Sequence, residues 1–373
     1  MAELILPSEA GSDPARWSAE QHRLHRHLRR QPQLLPPGAS LLLAISGGQD
    51  SMAMLALLRD LQALHGWTLR LWHGDHGWRA EGSRQAQELA AWAQGQGLLL
   101  HTERAQTSGN GDSNSVSSGS SSGNREAIGR QWRYDALAQE ALRHGCRHVL
   151  TAHTASDRDE TVLLNLARGS HRRGLASLRA SRPLPCPSHQ QPASQPQPDS
   201  ALLLVRPLLI FSRADTARIC QQRGLPIWLD PSNDDGRLSR NRVRAAVLPV
   251  LEALHPGASL RISAQAERLA AELEQQQELL DLALAALTLG GDSDQPTLAR
   301  RGLLALSAAG QRRLLRHWLE RHTGRGLESQ PLEILIERLA ANRGPGRLCL
   351  ADRWHLLWER TTLRLIRDVE GHG

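Results

Sequence analysis

The strongest indication of the fold is a short apolar run that passes directly into a Ser-Gly-Gly turn. Residues 41–45 read Leu-Leu-Leu-Ala-Ile, the turn is Ser46-Gly47-Gly48, and apolar residues recur at helical spacing over residues 52–65. An uninterrupted apolar run of this length is typical of a strand buried on both faces, as in a parallel sheet covered by helices. The pattern therefore predicts an α/β fold.

Strand–helix units of the same kind recur along the first two thirds of the chain. Further strands are predicted at residues 69–72, 98–102, 148–152 and 202–209, and further helices at residues 81–94, 127–143, 159–168 and 214–223. Such repeats imply a doubly wound, mostly parallel, Rossmann-like sheet with helices on both faces. Beyond residue 244 a long helical stretch, 248–289, is followed by two alternating runs, 347–358 and 361–366, that are predicted to pair as a hairpin.

These changes of pattern divide the 373 residues into three predicted parts. They are an N-terminal helical extension (1–36), an α/β domain (37–245) and a mainly helical C-terminal domain (246–373), with the boundary near residue 246. Two stretches of the second part, 107–124 and 185–200, consist mainly of small polar residues, glutamine and proline. Neither can bury enough apolar surface to offset the entropy of ordering, so both are predicted to be disordered surface inserts.

The Ser-Gly-Gly turn predicts a phosphate site, here called the nucleotide loop (residues 46–51). Its glycines let the main chain approach an anion closely, and the first N–H groups of the following helix lack internal partners. Ser46 and Ser51 add hydroxyl donors, with Gln49 and Asp50 between them. The Asp50 carboxylate would repel phosphates unless a divalent cation bridges them, which predicts Mg²⁺. Ordinary helix capping is the alternative, but the preceding strand and following helix favour an ATP site.

The composition restricts both the mechanism and the partners. All 45 basic residues are arginine, since the sequence contains no lysine, and the net charge is +7. This excludes a Walker-type phosphate lysine, a Schiff base and an adenylyl-lysine intermediate. The arginine excess suits a polyanion such as RNA, although genome bias explains much of the missing lysine. The four cysteines form no C-x-x-C pair and no apolar run reaches membrane-spanning length, so a cytoplasmic protein with reduced thiols is expected.

Six sequence blocks together resemble one family. The nucleotide loop, S-G-G-Q-D-S after an apolar strand, resembles the signature of the PP-loop ATP pyrophosphatases. The other blocks narrow the resemblance to the tRNA(Ile)-lysidine synthetases: residues 73–79 (H-G-D-H-G-W-R), 125–134 (R-E-A-I-G-R-Q-W-R-Y), 151–161 (T-A-H-T-A-S-D-R-D-E-T), 206–209 (R-P-L-L) and 230–244 (D-P-S-N…R-N-R-V-R). They occur in the family's order over residues 41–251. The chain departs from the family pattern at Thr154, Ser156 and Arg158, where the family has His, Asp and Gln.

The resemblance implies modification of the wobble cytidine, position 34, of the isoleucine tRNA with a CAU anticodon. ATP adenylates O2 of this cytosine, and the ε-amine of free L-lysine then attacks C2 and expels AMP, leaving lysidine. The implied catalytic groups are Asp50, which also binds the metal, with His153, Asp157 and Glu160. Asp157 and Glu160 are three residues apart on a predicted helix, hence on one face, where they could bind and deprotonate the incoming lysine.

The tRNA is expected to contact residues beside the predicted domain boundary. Arg240, Asn241 and Arg244 suit phosphate contacts and a splayed base, with a solvated basic helix end as the alternative. The C-terminal domain is expected to contribute to tRNA binding as well. His76 follows a predicted strand, as His153 does, and is a weaker candidate.

Two other functions remain open at the level of the sequence. One is a different PP-loop tRNA-modifying enzyme such as a thiolase, which the lack of paired cysteines disfavours. The other is a catalytically inactive RNA-binding relative, which Ser156 and Arg158 suggest. The oligomeric state is also open, with a homodimer as one option.

Overall fold

The computed structural model of the chain describes residues 17–77, 80–105, 122–185, 201–228, 239–290, 295–340 and 344–368. The chain forms two compact units that divide between Ala270 and Ala271. The two predicted inserts fall mostly outside the described residues, although residues 122–124 belong to a helix. Within the described part of the chain, no helix is long and apolar enough to cross a membrane.

The first unit is built on a six-stranded sheet. Its strands are β1 (Ser40–Ala44), β2 (Thr68–Asp75), β3 (Leu100–Arg104), β4 (His148–Leu150), β5 (Ser181–Pro183) and β6 (Leu203–Val205). They lie in the order β3-β2-β1-β4-β6-β5, and every neighbouring pair is parallel except β5 with β6. The predicted mostly parallel sheet is therefore confirmed. Strand β5 was not predicted, and its proline is tolerated because β5 lies at the sheet edge.

Helices cover both faces of this sheet. The helices up to the end of α10 are α1 (Ala19–Arg30), α2 (Gln49–His65), α3 (Ala80–Gly95), α4 (Ser122–Arg143), α5 (Ala155–Ala167), α6 (Arg172–Leu175), α7 (Arg213–Gln222), α8 (Ser239–Arg242), α9 (Leu248–Leu254) and α10 (Ala258–Leu287), with a π-helical turn at Val243–Val247. Helix α10 continues past Ala270, and its later residues belong to the second unit. Leu41 and Leu43 of β1 pack in one core with α1, α2 and α7, whereas Leu42 packs in a second core with Trp72 and Leu137. Burial on both faces explains the unbroken apolar run.

Two predicted elements of the first unit are shorter than expected. The strand predicted at 202–209 is confined to β6, because Pro207 has no N–H to continue the ladder. The long helix predicted at 248–289 is wrong as a single element. It is interrupted between α9 and α10 at Pro256 and Gly257, where the glycine has a φ of 81°. Both interruptions follow from residues that are poor at continuing regular structure.

The predicted domain boundary near residue 246 also differs from the observed division at Ala270. Residues 248–270 stay with the first unit because the start of α10 is bonded to α5. The Ser259 hydroxyl donates to the Asp159 carboxylate, and Arg158 Nη1 donates to the Ser263 carbonyl at 3.2 Å. The sequence becomes mainly helical near residue 246, but the chain continues to pack with the first unit as far as Ala270.

The second unit combines helices with a small antiparallel sheet. It contains β7 (Thr297–Ala299), α11 (Arg300–Leu304), α12 (Ala308–Thr323), α13 (Ser329–Arg338), β8 (Gly346–Cys349), β9 (Trp354–Trp358) and β10 (Thr362–Arg367), with strand order β7-β10-β9-β8. The predicted hairpin exists as β9–β10. The run 347–358, predicted as one strand, instead contains both β8 and β9, which form a second hairpin. Its turn includes Asp352 and Arg353, both with positive φ.

Candidate active site

The nucleotide loop lies where β1 passes into α2, as predicted. Gly47 has a φ of 81°, and Gly48 is the N-cap residue of α2, so the first N–H groups of the helix are not bonded to a capping side chain. Ser46 Oγ accepts from the Gly48 N–H at 3.3 Å and donates to Ser51 Oγ at 3.2 Å, which in turn donates to the Gly48 carbonyl. These bonds fix the loop in a shape that can receive an anion at the helix N-terminus.

Trp228 closes one side of the nucleotide loop. Its N–H donates to the Gly47 carbonyl at 3.0 Å, and its indole N–H donates to Glu88 of α3 at 2.9 Å. A Cβ added at Gly47 would lie 3.2 Å from Trp228 Cε3. From the sequence, Trp228 could stack on a base or pack in the protein, with packing favoured, but nothing in a single sequence shows that residue 228 returns to residue 47.

Asp50 is held by the N-terminal turn of α7. Thr216 Oγ1 donates to Asp50 Oδ1 at 2.5 Å, and Arg213 Nη1 lies 3.7 Å from Asp50 Oδ2. Gln49 anchors the same turn by donating to the Arg213 carbonyl and to Thr216 Oγ1, both at 2.8 Å. Burial raises the pKa of Asp50, as does the negative charge of Asp157, whereas Thr216 and Arg213 oppose the shift. The sequence did not predict this contribution of α7.

The two acidic candidates of α5 are brought together by one arginine. Asp157 is at the N3 position of α5, and its Oδ2 accepts from the N–H and hydroxyl of Thr154 at 2.8 and 2.9 Å. Arg244 bonds both oxygens of the buried Glu160, at 2.6 and 3.1 Å, and its Nη2 lies 3.9 Å from Asp157 Oδ1. Because α5 begins at Ala155 rather than at the predicted residue 159, Asp157 both caps the helix and faces the site.

The same arginine connects these carboxylates electrostatically to the nucleotide loop. Burial alone would lower the pKa of Arg244, but its hydrogen bond with Glu160 and the charges of Glu160, Asp157 and Asp50 raise it. Burial raises the pKa of Glu160, with Arg244 acting in the opposite direction. The predicted catalytic carboxylates of the loop and of α5 therefore share one electrostatic environment.

His153 follows the carboxyl end of β4, next to Asp157. Its Nδ1 is 3.0 Å from Thr151 Oγ1, and the side chain is half-buried. Burial lowers the pKa of His153 to about 4. Asp157 opposes this shift, while Arg206 and Arg130 add to it. The imidazole is therefore neutral at physiological pH, where it can donate or accept a hydrogen bond but adds no charge.

The predicted tRNA-binding residues lie in helix α8 and in the π-helical turn that follows it. Arg240 and Asn241 are in α8, and Arg240 Nη2 donates to Thr161 of α5 at 2.8 Å. Arg244 lies in the π-helical turn and carries the contacts to Glu160 described above. The structure thus brings Arg240 and Arg244 into contact with α5. The preceding D-P-S-N block lies outside the described residues.

Two of the departures from the family pattern, Ser156 and Arg158, have structural roles away from the carboxylate pair. Ser156 Oγ accepts from the Arg213 N–H at 3.2 Å and so caps α7. Arg158 is buried and donates to the Leu178 carbonyl at 2.9 and 3.1 Å, to Ser263, and to Glu267 of α10 at 2.6 Å. Neither substitution removes Asp157 or Glu160 from the site. This counts against the hypothesis that the chain is a catalytically inactive RNA-binding relative.

Further residues near the carboxyl end of β2 stabilise its turn. Asp75 accepts from the Gly77 N–H and from Ser83, both at 2.8 Å, and the weaker candidate His76 accepts from Arg133 Nη2 at 2.7 Å. Trp78 and Arg79 lie outside the described residues. Among the described residues, no three His, Cys, Asp or Glu side chains form a metal cluster. Mg²⁺ at nucleotide sites uses one or two carboxylates plus phosphates, so Asp50 with the neighbouring Asp157 fits this ion.

Two family models match the chain. Residues 20–251 match a PP-loop domain, and residues 298–363 match a TilS substrate binding domain. In fold, the chain resembles the U34-tRNA thiolase NcsA from Methanococcus maripaludis. That structure has a TM-score of 0.51 at 17% identity, over 67% of this chain and 79% of that one. At this identity the likeness concerns the fold alone.

Curated relatives match over nearly the whole chain. The tRNA(Ile)-lysidine synthase of Parasynechococcus marenigrum is 45% identical over 95% of this chain and 97% of its own length. An enzyme of the same name from Prochlorococcus marinus is 39% identical over 94% of this chain and 97% of its own length. The chain therefore belongs to the tRNA(Ile)-lysidine synthase family of PP-loop ATP-binding enzymes.

Proposed function

We propose that this enzyme ligates free L-lysine to C2 of cytidine 34 in the CAU-anticodon isoleucine tRNA, with ATP converted to AMP and diphosphate. The cytosine O2 first attacks the α-phosphorus of ATP and diphosphate leaves. The lysine ε-amine then adds to C2, the C2–O bond breaks, AMP leaves and a proton is released. The observation that carries this proposal is the contact of one arginine, Arg244, with both Asp157 and Glu160 beside Asp50.

The nucleotide loop would hold the phosphates of ATP through backbone N–H groups and the hydroxyls of Ser46 and Ser51. Mg²⁺ would be held by Asp50, and when bound it would neutralise phosphate charge during adenylation. Arg213, 3.7 Å from Asp50, adds positive charge on the same side of the loop. The raised pKa of the half-buried Asp50, to which burial contributes most and Asp157 adds, is consistent with a carboxylate placed to meet a cation.

The carboxylates of α5 suit the second step. Asp157 Oδ2 is already committed to Thr154, which leaves the lone pairs of Oδ1 to accept from the lysine ε-ammonium. Glu160 is buried, and its raised pKa makes it a better proton acceptor than an exposed glutamate. Release of one proton from the ammonium produces the nucleophilic amine. The neutral His153 would contact the cytosine or ribose by hydrogen bonding rather than by charge.

The tRNA would be positioned by Arg240, Asn241 and Arg244 together with the second unit, which carries the match to a substrate binding domain. Arg244 has a double role in this proposal, because it also orients Glu160. Anticodon bases are commonly splayed out and stacked when proteins bind them, so the wobble cytidine would enter the site beside α5.

A thiolase activity is disfavoured by the thiol beside the loop. Cys220 of α7 donates to the Gln49 carbonyl at 3.3 Å and is buried. Burial raises its pKa to about 11, with Asp50 adding to the shift, so the thiol stays protonated. A sulfur carrier needs the opposite, an accessible thiolate of lowered pKa.

The test is incorporation of labelled lysine into a transcript of the CAU-anticodon isoleucine tRNA, in the presence of ATP and Mg²⁺. We expect one lysine per tRNA and one diphosphate per lysine. A methionine tRNA transcript with the same anticodon, which should remain unlabelled, is the control. Binding of the tRNA without incorporation would contradict the proposal, and transfer of sulfur in place of lysine would assign the site to a thiolase.

A further inference from the structure

Helix α1 carries a row of basic residues on the face turned away from the core. Leu24 and Leu28 are buried, while His22, Arg26 and Arg30 lie four residues apart, about 6 Å along the helix axis from one to the next, and are exposed. The helix is firmly fixed, because Ser18 and Gln21 form a capping box and Gln21 donates to Asp60 of α2 at 2.8 Å. These basic residues are therefore presented on a rigid support.

A groove of about 960 Å³ runs between α1 and the first half of α10. Its lining contains five arginines (Arg23, Arg26, Arg30, Arg158 and Arg268) and a single carboxylate, Glu267, over an apolar floor that includes Leu209 and Leu260. Glu267 is neutralised by Arg158 at 2.6 Å, and Arg23 pairs with Asp215 at 3.4 Å. Among the described residues, no carboxylate pairs with Arg26, Arg30 or Arg268.

Two structural explanations of this charge fall short. Cations near a helix C-terminus are stabilised by the helix dipole, which explains Arg29 and Arg30 in the last turn of α1. It explains neither Arg26 nor Arg268, which belongs to another helix. Pairing with acidic neighbours would explain a solvated basic surface, but the one acid of the groove is already paired. Neither explanation therefore accounts for the unpaired positive charge of Arg26 and Arg268.

We infer that the α1–α10 groove binds the phosphate backbone of the tRNA substrate, outside the active site. Guanidinium groups on both walls suit a chain of phosphates better than a single small anion. Burial lowers the pKa of His27 within the groove; Glu267 opposes this, while Arg158, Arg23 and Arg30 add to it, consistent with a positive potential. The inference rests on the proposed function, because it takes the substrate to be an RNA.

The test is the salt dependence of tRNA binding by the full-length chain, with the CAU-anticodon isoleucine tRNA transcript as probe. In the variant Arg26→Gln/Arg30→Gln/Arg268→Gln we expect a Kd at least about tenfold higher, and a slope of log Kd against log salt that is lower by about 2 to 3. ATP affinity should be unchanged. A variant with lysine at the same three positions should keep most of the slope, since lysine retains the charge.

A matched control separates this groove from an effect of net charge. Arg84, Arg104 and Arg143 are exposed and each pairs with a carboxylate, so their replacement by glutamine removes the same charge elsewhere. The inference is overturned if the groove variant keeps the wild-type slope, or if the control variant loses as much. Failure of wild-type protein to modify the tRNA while the groove variant still lowers the slope would refute the proposed function and not the groove.

Discussion

Replacement of Gly47 by alanine is the most direct test of a phosphate site made from backbone. Gly47 has a φ of 81°, and a Cβ there would lie 3.2 Å from Trp228 Cε3. A side chain at this φ costs about 1–2 kcal/mol, and the tryptophan must also shift slightly. We expect the free energy of unfolding to fall by about 1–2 kcal/mol, measured by urea titration.

The same substitution should weaken ATP binding by more than the strain alone suggests. The strain is relieved most easily by rotation of the peptides on either side of residue 47, which turns an N–H away from the phosphates. A hydrogen bond to a charged group contributes about 1.5–3 kcal/mol, so ATP affinity in the presence of Mg²⁺ should fall by about ten- to hundredfold. Isothermal titration calorimetry of the folded variant measures this.

Gly38→Ala is the matched control. Gly38 has a φ of 73° and no atom within 4 Å of an added Cβ, and it lies at the amino end of β1, opposite the nucleotide loop. This variant should lose comparable stability and bind ATP normally. If Gly47→Ala bound ATP as tightly as the wild type, the reasoning that the loop holds phosphates through its main chain would be refuted.

Three further substitutions test the remaining parts of the site. Asp50→Asn should abolish diphosphate release and leave tRNA binding nearly intact, and near-normal turnover would contradict its role with Mg²⁺. Arg158→Gln should reduce the free energy of unfolding by about 2–3 kcal/mol, because it breaks buried bonds. The kcat of the folded variant at saturating tRNA should not change, since these bonds lie away from the reacting groups, and a lower kcat would contradict this. Burial raises the pKa of Asp159 from 3.8 to about 7. Since the folded pKa exceeds the unfolded one, the wild type loses stability as the pH rises between these values. The melting temperature of Asp159→Asn should therefore be about 2 °C or more above that of the wild type at pH 8, and this difference should shrink toward pH 4. A difference in melting temperature that does not depend on pH would contradict the raised pKa of Asp159.

The parts of the site that sequence could predict are those encoded within one strand–turn–helix segment. The loop between β1 and α2 was predicted because the apolar run, the glycines and the helical spacing are contiguous. The proximity of Asp157 and Glu160 follows from helical geometry once the helix begins at Ala155, four residues before its predicted start. The contact of Arg244 with this pair was not predicted, because it depends on how the π-helical turn lies against α5; the sequence suggested Arg244 only as a tRNA contact.

The parts that sequence could not predict depend on distant segments that meet in space. Thr216 reaches Asp50 from α7, and Trp228 packs on Gly47, although each partner lies more than 160 positions away in the chain. No periodicity or motif marks such pairs. The error at α9 and α10 was of another kind, since Pro256 and Gly257 are visible in the sequence as helix breakers and were outweighed by the helical composition around them.

The placement of Arg158 has a consequence for how this helix varies between relatives. One face of α5 carries the carboxylates of the site, and the opposite face is clamped to α10 through Arg158 and Glu267. The two faces can change independently, so a chain with glutamine at position 158 has no need of an acid at position 267. We expect these two positions to vary as a charge-balanced pair, while Asp157 and Glu160 stay the same.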